Sequence, residues 1–238
     1  MSGEPSGGER AELVLATRNP HKVREMSRLL APAGVEVKPL PDWVELPPED
    51  GETFADNALG KARAAAAATG RVAIADDSGI EAEALGGAPG VRSARYAGLD
   101  ADDEQNLSKL MREAPAGSGL RYVCALAYVD PVRGLEQVFS GECRGRMAAE
   151  PRGAGGFGYD PAFLPDDDAG VGVGDAGSGG AAGGHGGRGE RTMAELSDAE
   201  KDVISHRGRA ARALVEWLRG RPSGDPGRRA PGTVDGLL

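Results

Sequence analysis

The sequence predicts an α/β fold built on a mixed sheet, and three observations predict it. Leu13-Val14-Leu15-Ala16 is a short apolar run that opens into a polar loop and then a helical pattern at Val23, Met26, Leu29 and Leu30, the strand, loop and helix of a parallel unit. A second apolar run, Val72 to Ala75, follows an alanine-rich stretch and stops at Asp76-Asp77-Ser78-Gly79. Two further strand-like stretches, Tyr122 to Val129 and Glu136 to Cys143, flank the turn-rich Asp130 to Gly134, the pattern of an antiparallel hairpin.

Each element carries its own local signal. Asn19 can cap the first helix with its side-chain oxygen, and Pro20 then takes the first helical position, where a missing N–H costs nothing. Thr53 to Thr69 reads as a helix ended by Gly70. Leu107, Leu110 and Met111 mark another helix face. Ser197-Asp198-Ala199-Glu200 has capping-box spacing, and Ala211, Leu214, Val215 and Leu218 form an apolar stripe.

The chain has 238 residues, room for one catalytic-sized unit. Its net charge of -9 argues against a mainly electrostatic nucleic-acid binder, so no nucleic-acid partner is expected. No apolar stretch is long enough to span a bilayer and no basic, apolar leader opens the chain, so a cytoplasmic protein without a membrane partner is expected. Cys124 and Cys143 read as small buried thiols rather than a disulfide scaffold or a zinc cluster. Eleven of the 38 glycines fall between Asp166 and Arg191, a composition that cannot repay ordering entropy. The expected organisation is a tail at 1–11, a domain at 12–220 with a flexible insert at 166–191, and a second tail at 221–238. The insert is expected to be dispensable for catalysis.

Chemistry concentrates in four places. Thr17, Asn19, Lys22 and the N–H groups of a helix start are the parts that hold a phosphate chain, although Asn19 and Pro20 can equally do no more than cap the helix. Asp76 and Asp77, placed where open sheets present ligands, can bind Mg²⁺ or take a proton from an attacking water, or simply form a solvated turn. Alternation along a strand lets only one of the two face a site squarely. Glu49 and Asp50, in the acidic Pro47 to Glu52 run, can supply another metal ligand or simply be solvated. Gly155 to Pro161 joins backbone freedom to two aromatic rings, as a loop that stacks a planar base or a tight turn with core anchors would. Lys201, His206 and Arg207 form a basic trio that can hold phosphate or a base carbonyl, or be no more than surface charge.

In this order the segments resemble the XTP/dITP diphosphatase family, also called non-canonical purine NTP pyrophosphatases or inosine triphosphatases. The residues that carry the resemblance are Ala16 to Lys22 with Glu25, Glu49 to Phe54 with Asn57-Ala58, Ala75 to Gly79, Leu85 to Gly90, Ser93 to Tyr96, Gly155 to Pro161, and Lys201 with Ser205 to Gly208. The resemblance implies a strongly bent mixed sheet flanked by helices, two lobes with a nucleotide cleft between them, and a Mg²⁺-dependent homodimer. The implied substrates are the non-canonical purine nucleoside triphosphates ITP, dITP and XTP, cleaved to monophosphate and pyrophosphate. Carried over by position, Asp77 activates water and, with Glu49, holds the metal. Thr17, Arg18, Asn19, Pro20, His21 and Lys22 hold the phosphates. Ser78, Phe157, Gly158, Tyr159, Asp160, Lys201, His206 and Arg207 complete the nucleotide site.

A donor such as His206 or Arg207 would pair with a carbonyl at position 6 of the base and oppose the amino group of adenine. Guanine would have to be rejected at position 2. Arg18 departs from the family pattern, in which a small residue is common, and adds either a phosphate contact or crowding. The rival readings are an aspartate-nucleophile phosphomonoesterase, which lacks the Asp-x-Asp spacing, and a nucleotide sensor without turnover.

Overall fold

In the computed structural model, which describes residues 11–166 and 191–220, six strands form one sheet in the order β2-β1-β3-β4-β5-β6. Residues 1–10, 167–190 and 221–238, on which the expected tails and most of the expected insert fall, lie outside the described residues. Ala11, expected in the N-terminal tail, is instead the first residue of β1 (Ala11–Leu15). β1 runs parallel to both β2 (Val35–Pro39) and β3 (Ala73–Ala82), while β4 (Gly119–Asp130), β5 (Leu135–Met147) and β6 (Phe163–Pro165) add antiparallel strands. The sheet is therefore mixed, as the sequence predicts.

The connections follow the local signals. Asn19 caps α1 (Pro20–Leu30), its side chain accepting from the amides of His21 and Lys22, with Pro20 at the helix start. Thr53 and Asp56 close a capping box on α2 (Phe54–Thr69), which ends at Gly70 in the left-handed region. Asp102 and Gln105 do the same for α3 (Asp103–Glu113), and Ser197 and Glu200 for α4 (Asp198–Ile204). α5 (His206–Arg219) follows directly, its start capped by Ser205.

One expectation is corrected. Asp76-Asp77-Ser78-Gly79 do not end a strand but sit in the middle of β3, registered against Leu126, Ala125, Cys124 and Val123 of β4. The strand carries two buried carboxylates through the sheet because cations from three different helices meet them there. The hairpin arms are also longer than expected, and both run past the ends of the first two cores.

Three cores result. Residues of β4 alternate between two of them: Cys124, Leu126 and Tyr128 face α1 and α5, while Ala125, Ala127 and Val129 face α2. The alanines of α2 (Ala58, Ala62, Ala65, Ala66) let that helix lie close on the sheet. The far ends of β4 and β5 enter a third core, with Leu120, Tyr122, Cys143 and Met147 packed against Leu107 and Leu110 of α3 and Ile204 of α4. α5 reaches the sheet at Gly141, where a Cβ would stand 2.1 Å from the carbonyl oxygen of His206. That close approach sets the start of α5, and with it His206 and Arg207, directly over β5.

Candidate nucleotide site

The loop between β1 and α1 is shaped by its own side chains. Thr17 Oγ1 accepts from the amide of Asn19 at 3.2 Å, and Asn19 then caps α1. This turns Lys22 toward β3, where its Nζ lies 3.0 Å from the Asp76 carboxylate. Asp76 is fully buried and also receives Arg207 Nε at 3.0 Å. Burial opposes its charge, but Lys22, Arg207 and Lys61 outweigh burial and hold its carboxyl far below the usual range. Arg207 is itself buried and further donates to Glu25 at 2.5 Å and to Ser78 Oγ at 2.7 Å. One oxygen of Glu25 and one of Asp76 have no hydrogen-bond partner among the described residues.

The next residue faces the other side of β3. Asp77 accepts from Asn57 Nδ2 at 2.8 Å, and Lys61 Nζ lies 3.9 Å from its second oxygen. Lys61 also donates to the Asp76 carbonyl at 2.9 Å and to the Glu49 carboxylate. Burial raises the Asp77 carboxyl above its ordinary range, with Lys61 and Asn57 pulling the other way. Burial works against the Lys61 charge, yet Asp76, Glu49 and Asp77 around it raise its affinity for the proton. The site therefore has two lysines, Lys22 and Lys61, converging on one peptide carbonyl beside two carboxylates.

The aromatic loop closes the opposite wall. Asp160 accepts from Tyr122 Oη at 3.0 Å, from Lys201 Nζ at 2.7 Å and from the amide of Phe157 at 3.0 Å. Both its oxygens serve protein donors, so Asp160 braces the loop rather than offering a free edge to a base. The amide of Gly158 donates to Asp103 at 2.9 Å, and Tyr159 Oη donates to the Ser93 carbonyl at 2.7 Å. The Phe157 ring stands 5.3 Å from Lys201 Nζ and 5.5 Å from the Arg207 guanidinium carbon. His206 stacks on Tyr122 with ring centroids 4.6 Å apart and planes within 6°. Burial, then Arg207 and Lys201, keep His206 well below its ordinary pKa, so it is neutral, and its Nδ1 is buried without a partner.

One cavity joins these walls. Its lining includes Asn19, Lys22, Glu49, Asp77 and Ser78 on the acidic side and Phe157, Gly158, Tyr159, Asp160, Lys201, His206 and Arg207 on the aromatic side. Thr17, Arg18, Pro20 and His21 are not among its lining residues. Pro20 and His21 are exposed at the start of α1, and the Arg18 guanidinium points instead to the segment after β2, donating to the carbonyls of Leu40, Pro41, Asp42 and Val44. The Arg18 guanidinium is thus committed to backbone carbonyls. Reasoning from sequence also gave no site role to Lys61, Asn57 or Tyr122, Asn57 being named only as carrying the resemblance. For the first two a signal existed: they lie four apart on α2, on one face. Tyr122 had none, because its stacking depends on the β3-β4-β5 register.

Comparison with known proteins points to one family. A model of the Ham1 family matches residues 13–217. A protein named dITP/XTP pyrophosphatase from Frankia alni is 46% identical over 218 residues, covering 87% of this chain and 96% of its own. One of the same name from Symbiobacterium thermophilum is 48% identical over 209 residues, covering 87% and 94%. Among solved structures, a HAM1 protein from Coxiella burnetii superposes with a TM-score of 0.71 at 35% identity, over 89% of this chain and all of its own. The nucleoside-triphosphatase / dITP/XTP pyrophosphatase of Mycobacterium abscessus gives 0.60 at 40% identity, over 85% and 98%.

Proposed function

The chain belongs to the Ham1 family, and from that premise we propose that it hydrolyses the non-canonical purine nucleotides ITP, dITP and XTP to the monophosphate and pyrophosphate. The observation that carries this reading is the single cavity lined by Lys22, Glu49 and Asp77 together with Phe157, Tyr122 and His206. Cations and carboxylates suit a triphosphate, and stacked rings suit a planar base.

Water attacks the α-phosphorus, the bond to the bridging oxygen breaks, and the pair of electrons leaves with pyrophosphate. Asp77 orients the water and accepts its proton, a task favoured by a carboxyl held above its ordinary range. Lys22 and Lys61, already gathered at the Asp76 carbonyl, stabilise the negative charge that moves onto the leaving group. Glu49 and Asp77 are the residues that would hold Mg²⁺. Two carboxylates with no third His, Cys, Asp or Glu grouped with them among the described residues suit an ion that completes its shell with water and substrate phosphate. When bound, the ion adds Lewis-acid charge at the phosphate oxygens.

At the base, the unpartnered Nδ1 of neutral His206 favours it over Arg207 as the group that meets position 6, because the guanidinium is already engaged by Asp76, Glu25 and Ser78. The cavity holds about 130 Å³, below the roughly 300 Å³ where pockets for drug-sized ligands begin. It therefore encloses only part of a nucleotide. A homodimer and a cytoplasmic setting complete the proposal. No described helix is long and apolar enough to cross a membrane, and light scattering on the purified protein tests the dimer.

The deciding experiment supplies Mg²⁺ and ITP, XTP, dITP, ATP or GTP in parallel and resolves the products. Monophosphate and pyrophosphate from the first three alone is the expected result. Diphosphate and phosphate would discard the mechanism, and equal cleavage of ATP and GTP would discard the specificity.

A further inference from the structure

Residues 40–53, between β2 and α2, form no helix or strand, yet they carry Glu49. Backbone carbonyls in such a segment need donors. At its start they receive them from Arg18, which belongs to the β1-α1 phosphate loop. Arg18 Nη1 donates to the Leu40 carbonyl at 3.1 Å, and Nη2 to those of Pro41 at 2.9 Å, Asp42 at 3.1 Å and Val44 at 3.0 Å. Beneath this guanidinium the side chains of Leu40 and Val44 are buried against α2. The accompanying Asp42 carboxylate, 3.3 Å away, is fully exposed and adds little. At the other end, Arg95 Nη2 donates to the Glu49 carbonyl at 2.7 Å. Between the two clamps stand Pro47 and Pro48, whose fixed φ angles stiffen the link.

We propose that Arg18 is a positioning residue: by gathering four carbonyls of residues 40–44 it sets the distance between the phosphate loop and Glu49, and so the spacing of Glu49 from Lys22 and Asp77. The proposal rests on the reading of Glu49 as a metal and phosphate-side residue. It assigns Arg18 no contact with substrate. A planar fork is needed because a lysine, as a point donor, cannot serve converging carbonyls in this way.

The test compares full-length R18A, R18K and D42A with wild type by two kinds of readout. The first is native-state chymotryptic cleavage after Trp43, which is exposed within the clamped segment, whereas Trp217 packs against Tyr128 and Phe139. The second is KM for ITP and the half-saturating Mg²⁺ concentration, each set against kcat. R18A is expected to speed cleavage and to raise both concentrations by about tenfold, the effect of losing roughly one net charge-assisted hydrogen bond, with kcat within about twofold. R18K should fall close to R18A, and D42A close to wild type.

Unchanged cleavage with unchanged constants in R18A would overturn the proposal. So would a fall in kcat with KM and cleavage unchanged, which would make Arg18 a direct partner of the transition state. Should R18A not fold, R18K carries the same test, since it keeps the charge and loses the fork. Absence of ITP hydrolysis by wild type would sink the functional reading alone, because the Trp43 cleavage comparison judges the clamp without it.

Discussion

Asp76 and Asp77 are the same residue in adjacent positions of one strand, and the two faces of β3 make opposite groups of them. On the face toward α1 and α5, Asp76 meets Lys22 and Arg207 and is held ionised. On the face toward α2, Asp77 meets an amide, with its nearest cation 3.9 Å away, and burial raises its carboxyl. One is an anchor that fixes cations, and the other is a base poised to accept a proton. Strand alternation supplies the difference. Chemistry and scaffolding can thus share a dipeptide without sharing a role.

The largest expected effect follows from exchanging the base. Asp77→Asn keeps an oxygen for Asn57 to donate to but cannot take a proton, so turnover of ITP should fall by about 10²–10⁴. Nucleotide binding should persist and the unfolding midpoint should hold or rise. A turnover assay beside an ITP titration checks both. If D77N kept wild-type turnover, the contrast between the two faces would carry no catalytic meaning. Asp76→Asn should break the other side, costing about 3 kcal/mol in urea unfolding because Lys22 and Arg207 lose a buried counter-ion. Because the folded carboxyl of Asp76 is depressed, its stabilisation is present above the unfolded carboxylate range near pH 3.9 and is lost as the pH falls below it. D76N should lack that acid-side loss.

How much of this was legible depends on how far apart the partners lie. The Thr17 to Lys22 loop, the Asn19 cap and the Ser197 to Glu200 box were readable because their bonds span two or three residues. The continuation of β3 was not, since carboxylates within an apolar run look like a strand end. Lys61, 15 residues away, Lys22, 54 residues away, and Arg207, 131 residues away, make them tolerable inside the sheet. Lys61 was harder to read for a similar reason: beside Arg63 in an alanine-rich helix it looks solvent-facing until α2 is laid on the sheet. Arg18 misled in the opposite direction. Its neighbours belong to a phosphate loop, while its partners lie 22 to 26 residues on, in a segment without regular structure.

A pH profile sharpens the comparison further. In the Mg²⁺-free protein the Asp77 carboxyl, followed by NMR, should titrate above the ordinary aspartate range, because burial outweighs the pull of Lys61 and Asn57. Lys61→Met removes the charge that pulls Asp77 down and should move that titration to higher pH. A titration that stayed in place would mean that Lys61 does not set the charge of Asp77.

The smallest effect concerns His206, which shares its surroundings with Asp76. Arg207 and Lys201 add to burial in keeping this imidazole neutral, while Asp76 opposes them only in part. The sign follows from linkage. With the folded pKa depressed, the unfolded chain binds the extra proton below about pH 6.5, so folding stability is complete above that pH and declines as the pH falls. Wild type should therefore lose about 1 kcal/mol more than His206→Gln between pH 7 and pH 5.5 in nucleotide-free urea titrations. Equal losses would mean that His206 is protonated in the folded protein. The cations on that side of β3 would then not set the charge of the imidazole they surround, and its Nδ1 would face the base only as a donor.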